Sequence, residues 1–598
     1  MELVARVQRY RESVHNRPRT AGVLTVILGI VLGTASCSEP PTPAPAADSA
    51  DSAAPSAAAS PTAPDQPQAP PVTPSDPSAT LPDDPAAFPR AGTRPLGWGP
   101  QQRDATAAAR AVAAMTTEQQ AGQVLLPFYR GLDHEAQAAL IERLHLAGSI
   151  LRGDNVPGTT DGSVDTAAMH GITSRLQAAA RTGGRSWPGL IGVDQEGGVV
   201  ARLRAPLTEW PAPMSYGAAG SGPLTGKAGQ AMASELAALG FNTDFAPTSD
   251  VTMGPADPTI GARSMSGDAD AASGFGVAFS QGMLAAGLLP AAKHFPGHGS
   301  VSVDSHARLP VQDASLEQLR AKDLKPFQAA IDAGLPMVMT GHIAVPALEP
   351  GIPASLSKPA YAQLRGMGFQ GVAVTDALNM GAVKGRYPND SAAPLALAAG
   401  ADLLLMPANV EAAHAAIIAA VRSGALPPER LTEAAQRVVT MMIWRARAGV
   451  RPGTAPGSGS GLSEEVSAAA ITVLEGPCEG PIVPASVRVT GGSAQDRARF
   501  TAAARDAGIS IGAGPLVSLI GAPASPATAA APHAAADVAV ALDAPWPLAD
   551  SPAPARIALY GRSQGAFDAL AAVLAGHARA PGKLPVAVGT QDPGTGCV

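Results

Sequence analysis

From about residue 104 onward the chain alternates short apolar runs with Ala-rich stretches whose apolar residues recur at helical spacing. The runs are QVLLP (123–127), GSILRG (148–153), GLIGVD (189–194), FNTDFAP (241–247), LLPAAKHF (288–295), PMVMTGH (336–342), GVAVTD (371–376) and ADLLLMP (401–407). Segments such as 133–146, 225–240 and 315–334 lie between them and read as helices, the last two closed by Gly at the C-cap position. Eight strand and helix units in succession predict a (β/α)8 barrel over 104–449 rather than a doubly wound sheet. Polar residues then fall at the C-terminal strand ends, where such barrels keep their active sites.

The helix 431–449 ends this unit, and RPGTAPGSGSG reads as the core of a linker over 450–463. Beyond it, ITVLEG, VRVTGG, PLVSLIG, VAVALD, RIALYG and LPVAVG alternate with helical pieces, which predicts a smaller α/β sandwich domain over 464–598. The other end of the chain is different in kind. Five Arg precede an apolar stretch from Ala21 to Gly33 that ends in Thr34-Ala35-Ser36-Cys37, the layout of a secretory signal. Small residues before a cysteine resemble the lipobox of bacterial lipoproteins, so residues 1–37 are expected to be a signal with Cys37 as the lipidated residue. Residues 38–103 follow as a Pro/Ala-rich tether whose composition cannot bury enough surface to fold.

Charge narrows the function. Lys plus Arg number 42 against 49 Asp plus Glu, a formal charge of −7, and removing residues 1–36 takes away five Arg and two Glu to leave −10. An acidic chain of this kind is no nucleic-acid binder, and the only membrane partner expected is the lipid anchor. The protein should be exported, held on the outer face of the cell membrane as a lipoprotein or released outside, and monomeric. Only Cys478 and Cys597 remain as free-thiol candidates after processing, and in an oxidising compartment they are expected to pair.

Chemistry collects at three strand ends: DQEGGVVARL (194–203), KHFPGHGSVSVDSHARLP (293–310) and VTDALNM (374–380). Asp376 follows the apolar run GVAV directly, a rigid position from which one carboxylate can be aimed, although an Asp there can also cap the next helix. His306 lies two residues after Asp304 on a loop rich in Gly and Ser. An imidazole titrating near neutrality can donate and later accept a proton without the large shift a carboxylic acid would need. His294, His298 and His306 beside Asp304 also resemble a metal set, but Pro296 and Gly297 work against the helical His-x3-His geometry, and neither metal nor cofactor is expected.

Together with IGARSMSGD (260–268), these strings resemble the β-N-acetylglucosaminidase branch of glycoside hydrolase family 3 over residues 104 to 449. The resemblance implies Asp376 as nucleophile, His306 as a mobile acid/base, and Asp304 as the group that orients His306. It further implies that Asp194, Arg202, Arg263, Lys293 and His294 hold the terminal sugar, with a structural ion pair as the alternative for each Arg. Val199 stands where the family usually has Arg, and Ala377 where a second Asp is common. The implied activity is a retaining exo-β-N-acetylglucosaminidase releasing N-acetylglucosamine from cell-wall saccharides. A β-glucosidase or xylosidase, a glycoside phosphorylase and a non-catalytic wall-binding lipoprotein are the alternatives. One further match, GRSQG (561–565), has the form of a nucleophile elbow, but too little chain follows Ser563 to supply an acid and a His.

Overall fold

The computed structural model describes residues 92–160, 162–449, 451–521 and 535–597. The signal, Cys37 and most of the tether lie outside the described residues. No described helix is long and apolar enough to cross a membrane.

All eight apolar runs of the first domain contain a strand: β1 Leu125–Leu126, β2 Gly148–Ile150, β3 Leu190–Val193, β4 Thr243–Asp244, β5 Leu289–Phe295, β6 Met337–Thr340, β7 Val372–Thr375 and β8 Leu404–Leu405. Strands β2 to β7 form one parallel sheet in sequential order, and β1 pairs with β8. Backbone hydrogen bonds carry that pair to both edges of the larger sheet, Ala147 N–H to Leu125 O and Ile150 N–H to Pro127 O on one side, Asp402 N–H to Ala373 O and Thr375 N–H to Leu403 O on the other. The result is a curled, partly closed α/β sheet. Its strands are buried on both faces, which is why they read as continuous apolar runs and not as alternation.

Two local expectations are corrected. The stretch 315–334 is two helices, Leu316–Ala321 and Lys325–Asp332, broken at Lys322. Pro326 has no N–H to give a continuous helix and instead opens the second one. The end of the segment assigned to the tether is ordered: Trp98 is buried in the core of the first domain, and Gly99 packs so closely on Trp444 that a side chain there would strike the indole.

Residues 451–459 do not hang free. Thr454 N–H donates to Ser234 O and Gly459 N–H to Glu235 Oε1, laying this stretch along the helix Gly222–Ala238. A separate C-terminal α/β domain follows, with a sheet of β9 Thr472–Glu475, β10 Ser486–Gly491, β11 Ser510–Ile520, β12 Val538–Ala541 and β13 Ala555–Ala558 in the order β9-β13-β12-β11-β10. The period of two decides what each face meets. Val538, Val540, Ala555 and Ile557 pack with Phe500, Phe567 and Leu570 of the helices Ala494–Asp506 and Gln564–Leu574. Ala539, Ala541 and Ala558 face Met214 and Ala218 of the first domain. The sixth run, LPVAVG, is no strand; Leu584, Val586 and Val588 cover that second face, and the Pro585 carbonyl accepts from Gly267 N–H and Ser266 Oγ. Cys478 and Cys597 form a disulfide, their Cα atoms 5.4 Å apart.

Candidate active site

A cavity of about 260 Å³ opens at the C-terminal ends of the curled strands. Of the eight residues expected to act on or hold the sugar, seven line it: Asp194, Arg202, Arg263, Lys293, His294, His306 and Asp376. Asp304 stands behind His306 and is not among the lining residues.

Asp376 is placed by β7, its own N–H donating to Thr340 O at 2.9 Å in the neighbouring strand. Its Oδ1 accepts from Ala377 N–H at 2.7 Å. The next helix, Gly381–Lys384, starts from Met380, so Asp376 is not its cap. Burial alone would push this carboxyl up, but the imidazoles of His294 and His342, the Ala377 N–H and His306 outweigh it and hold the pKa down at about 2. Asp376 is therefore an ionised, 8% exposed carboxylate at the cavity wall.

His306 is the opposite case, an exposed ring on the loop after β5. Asp304 Oδ1 accepts both the His306 backbone N–H at 2.9 Å and ring Nδ1–H at 2.8 Å. Burial works to raise the Asp304 pKa, and these two hydrogen bonds with the imidazole bring it below the ordinary range. A carboxylate only accepts, so the proton sits on Nδ1 and Nε2 is left for exchange.

The buried wall is an ion-pair cluster. Glu196, missed in the sequence, accepts from Arg263 Nε and Nη2, each at 2.8 Å, and lies 2.7 Å from Lys293 Nζ. Lys293 also donates to Asp194 Oδ1 at 3.1 Å. Burial would raise the Glu196 pKa, and the two cations drive it far below the ordinary value; burial would lower that of Lys293, and Glu196 with Asp194 raises it. Arg263 is thus the structural ion pair weighed from sequence and a cavity wall at once. Arg202 is not: its Nη2 is 4.0 Å from Asp194, and its buried Nε has no partner. Glu196 carried a signal, because residues 194 and 196 are two apart and share a face in extended chain.

Two more buried groups, Asp250 and His342, went unseen, and His298 was weighed only as a metal ligand. Asp250 Oδ2 accepts from His294 Nδ1–H at 2.7 Å, and its Oδ1 from His298 N–H at 2.6 Å, fixing the start of the His306 loop. His298 Nε2 meets Ser305 Oγ at 2.8 Å, and burial with the neighbouring His294 lowers its pKa to about 4. His342 Nε2 donates to Ala377 O at 2.9 Å, so its Nδ1 accepts from Ser355 Oγ, a neutral tautomer that burial favours. No group of three or more potential metal ligands comes together among the described residues.

The loop 252–263, which carries Thr259 and Arg263 to the cavity, is tied by Asp257, whose carboxylate accepts from Thr259, Ile260 and Gly261 N–H and from Thr252 Oγ1. Its outer side meets Trp546 of the C-terminal domain: a methyl group built on Gly254 or Gly261 would touch the indole at 3.8 and 4.0 Å, and Ala262 packs in the same cluster. Ser563 of GRSQG is a buried helix cap, its Oγ accepting from Ala566 N–H.

β-Hexosaminidase A of Pseudoalteromonas piscicida is 36% identical over 337 residues, half of this chain and 55% of that protein, so the chain spans about half the length of this relative. β-Hexosaminidase LpqI of Mycobacterium tuberculosis is 33% identical over 324 residues, 51% of this chain and 77% of that one. The solved glycoside hydrolase family 3 β-N-acetylglucosaminidase of Paenibacillus sp. superposes with a TM-score of 0.70 at 30% identity, covering 79% of this chain and 99% of its own. The profile of the glycosyl hydrolase family 3 N-terminal domain matches residues 116–441, and the chain belongs to that family.

Proposed function

We propose that the protein is a retaining, exo-acting β-N-acetylglucosaminidase that removes terminal N-acetylglucosamine from cell-wall saccharides. The observation that carries this reading is the pairing, in one cavity, of an ionised buried carboxylate with an exposed imidazole whose Nδ1 proton is already committed to Asp304. In the first step an Asp376 oxygen attacks the anomeric carbon while protonated His306 Nε2 gives its proton to the leaving oxygen. In the second, Nε2 takes a proton from water, whose oxygen displaces Asp376 and returns the sugar with its configuration retained. Asp304 keeps the ring oriented through both steps.

Lys293, Asp194, Arg202, Arg263 and His294 are read as the groups that hold the sugar's hydroxyls and acetamido group, and a cavity of about 260 Å³ accommodates one ring better than a chain. We read the curled sheet as a (β/α)8 barrel with its site at the strand C-termini. Export and anchoring through Cys37 would keep the enzyme at the cell surface, as the lipobox-like sequence implies. Incubation with chromogenic β-N-acetylglucosaminide, glucoside and xyloside, each with and without phosphate, tests the reading. Turnover of the first, independent of phosphate, is expected; faster release from the glucoside or a requirement for phosphate would overturn it.

A further inference from the structure

Two imidazoles of the cavity are clasped in the same way. His306 gives its backbone N–H and ring Nδ1–H to Asp304, and His294 gives its backbone N–H, at 3.2 Å, and ring Nδ1–H, at 2.7 Å, to Asp250. The surroundings differ. Asp304 and His306 share an exposed loop, whereas Asp250 is 1% exposed and reaches His294 from the chain that leaves β4. Burial would raise the Asp250 pKa, and His294 and His298 bring it below the ordinary carboxylate value, so both of its oxygens only accept.

The two oxygens serve different parts of the site. Oδ2 fixes a proton of His294 on Nδ1 and leaves Nε2, which has no hydrogen-bond partner among the described residues, to the cavity that the ring lines. His294 is also the first of the groups that hold Asp376 ionised against burial. Oδ1 accepts His298 N–H at 2.6 Å, at the root of the loop that carries His306. The chain after Asp250 reinforces that root: Met253 N–H donates to Gly299 O at 2.8 Å, and a Cβ on Gly299 would lie 2.4 Å from Val251 O.

We propose that Asp250 is a positioning residue of the glycosidase reaction: through Oδ2 it sets the His294 ring against the bound sugar and Asp376, and through Oδ1 it anchors the loop that brings His306 to the leaving oxygen. This role rests on the glycosidase reading above, and it falls to a group that does not line the cavity. Asparagine separates the two duties. A backbone N–H cannot give up its proton, whereas an imidazole can exchange Nδ1–H for Nε2–H. In Asp250→Asn the amide oxygen therefore goes to His298 N–H and the amide NH2 to His294 Nδ1. The loop root is kept and the ring proton is moved to the other nitrogen; Asp250→Ala removes both supports.

An activated aryl and an alkyl N-acetylglucosaminide report the two duties separately, because only the alkyl glycoside needs the acid. Asp250→Asn is expected to lower kcat/KM about 10- to 100-fold, equally for both substrates, and to cost nothing further where His294→Gln is already present. Asp250→Ala should add a second loss, larger for the alkyl glycoside. In the wild type the buried His294 Nδ1–H should give a slowly exchanging downfield proton resonance that His294→Gln lacks, a measurement that stands even if an Asp250 variant does not fold. Wild-type rates in Asp250→Asn, a full further loss in the His294→Gln background, an unchanged alkyl-to-aryl ratio in Asp250→Ala, or no such resonance overturns the assignment. A wild-type chain that cleaves neither glycoside fails at the glycosidase reading itself, and the assignment falls with it; normal wild-type cleavage with any of those results condemns the role of Asp250 alone.

Discussion

The backbone N–H of Gly381 donates to the carbonyl of His306 at 3.2 Å, and that of Ala382 to Ser305 O at 3.2 Å. The segment that leaves the Asp376 strand therefore carries the loop that holds the imidazole, and Asp376 and His306, the two groups proposed to react, share one support. Gly381 permits the approach because a Cβ there would lie 2.5 Å from His306 O and 2.7 Å from Ala307 O. Gly381→Ala is expected to shift the loop and slow turnover about 10- to 100-fold, as misplacement near 1 Å does, with little change in thermal stability. The loss should be larger for alkyl than for activated aryl N-acetylglucosaminides, because only the former need the proton. Equal slowing of both would mean that the loop does not position the acid.

Asp376→Asn keeps an oxygen to accept Ala377 N–H but removes the charge, and should cost several orders of magnitude in rate while the protein folds normally. The wild-type carboxylate should stay ionised far into acid, since the neighbouring imidazoles and the Ala377 N–H hold its pKa at about 2 against the effect of burial. With a dinitrophenyl glycoside, whose departure needs no acid, the rate of the first step should then be flat from pH 7 down to about pH 4. A fall centred between pH 4 and 5 in stopped-flow measurements would show a carboxylate that is not held low.

Much of the first domain was legible because buried parallel strands leave a local mark, and each of the eight apolar runs contains its strand. The site was legible as far as its residues sat at strand ends within quotable strings. Asp250 left no such mark: it matters because β4 and β5 are neighbours in the sheet, bringing its carboxylate to two backbone N–H groups nearly fifty residues away. LPVAVG misled for the reverse reason, its alternation serving to cover a sheet face between domains. The apolar spacing of 315–334 likewise hid the break before Pro326, where the chain forms two helices.

Buried His298 makes stability depend on pH. An unfolded His titrates near 6.5, while in the folded chain burial and the neighbouring His294 lower the value to about 4. Between those values the unfolded state binds more protons, so stability rises with pH and is lost as pH falls from 6.5 toward 4. At 1.36 kcal/mol per unit the loss from His298 is about 3 kcal/mol, and His342, also lowered, adds in the same direction. Urea midpoints at pH 7 and pH 5 should differ by the share of that loss falling between them, about 2 kcal/mol from His298, and His298→Gln should reduce the difference. An unchanged slope in that variant would remove His298 from the account.

The Cys478–Cys597 bridge closes a loop of 119 residues around the C-terminal domain. Loop-closure entropy gives it about 5 kcal/mol. Cys478→Ser should lower the denaturant midpoint of the C-terminal domain in non-reducing buffer, and reductant should lower the wild type to match. Two titratable thiols in the denatured, unreduced wild-type protein would contradict the bridge.

Trp546 of the C-terminal domain packs against a loop that lines the cavity. Its indole backs the loop 252–263 at Gly254, Gly261 and Ala262, and the far side of that loop presents Thr259 and Arg263 to the cavity. Arg263 in turn holds Glu196, which pairs with Lys293, so a shift of the loop would pass into the ion-pair wall. The Nε1 of Trp546 is buried without a partner, which leaves packing as the contribution of the ring. Trp546→Ala should open a cavity under the loop and cost stability, by less than the roughly 3–5 kcal/mol of a fully buried aromatic because the ring is only partly buried. Trp546→Phe, which keeps most of the ring contact, should restore much of it. The functional effect is expected mainly in KM, raised several-fold for N-acetylglucosaminides in the Ala variant and partly recovered in the Phe variant, with kcat changed less because neither Asp376 nor His306 lies on this loop. Equal KM in all three proteins would confine Trp546 to holding the domains together.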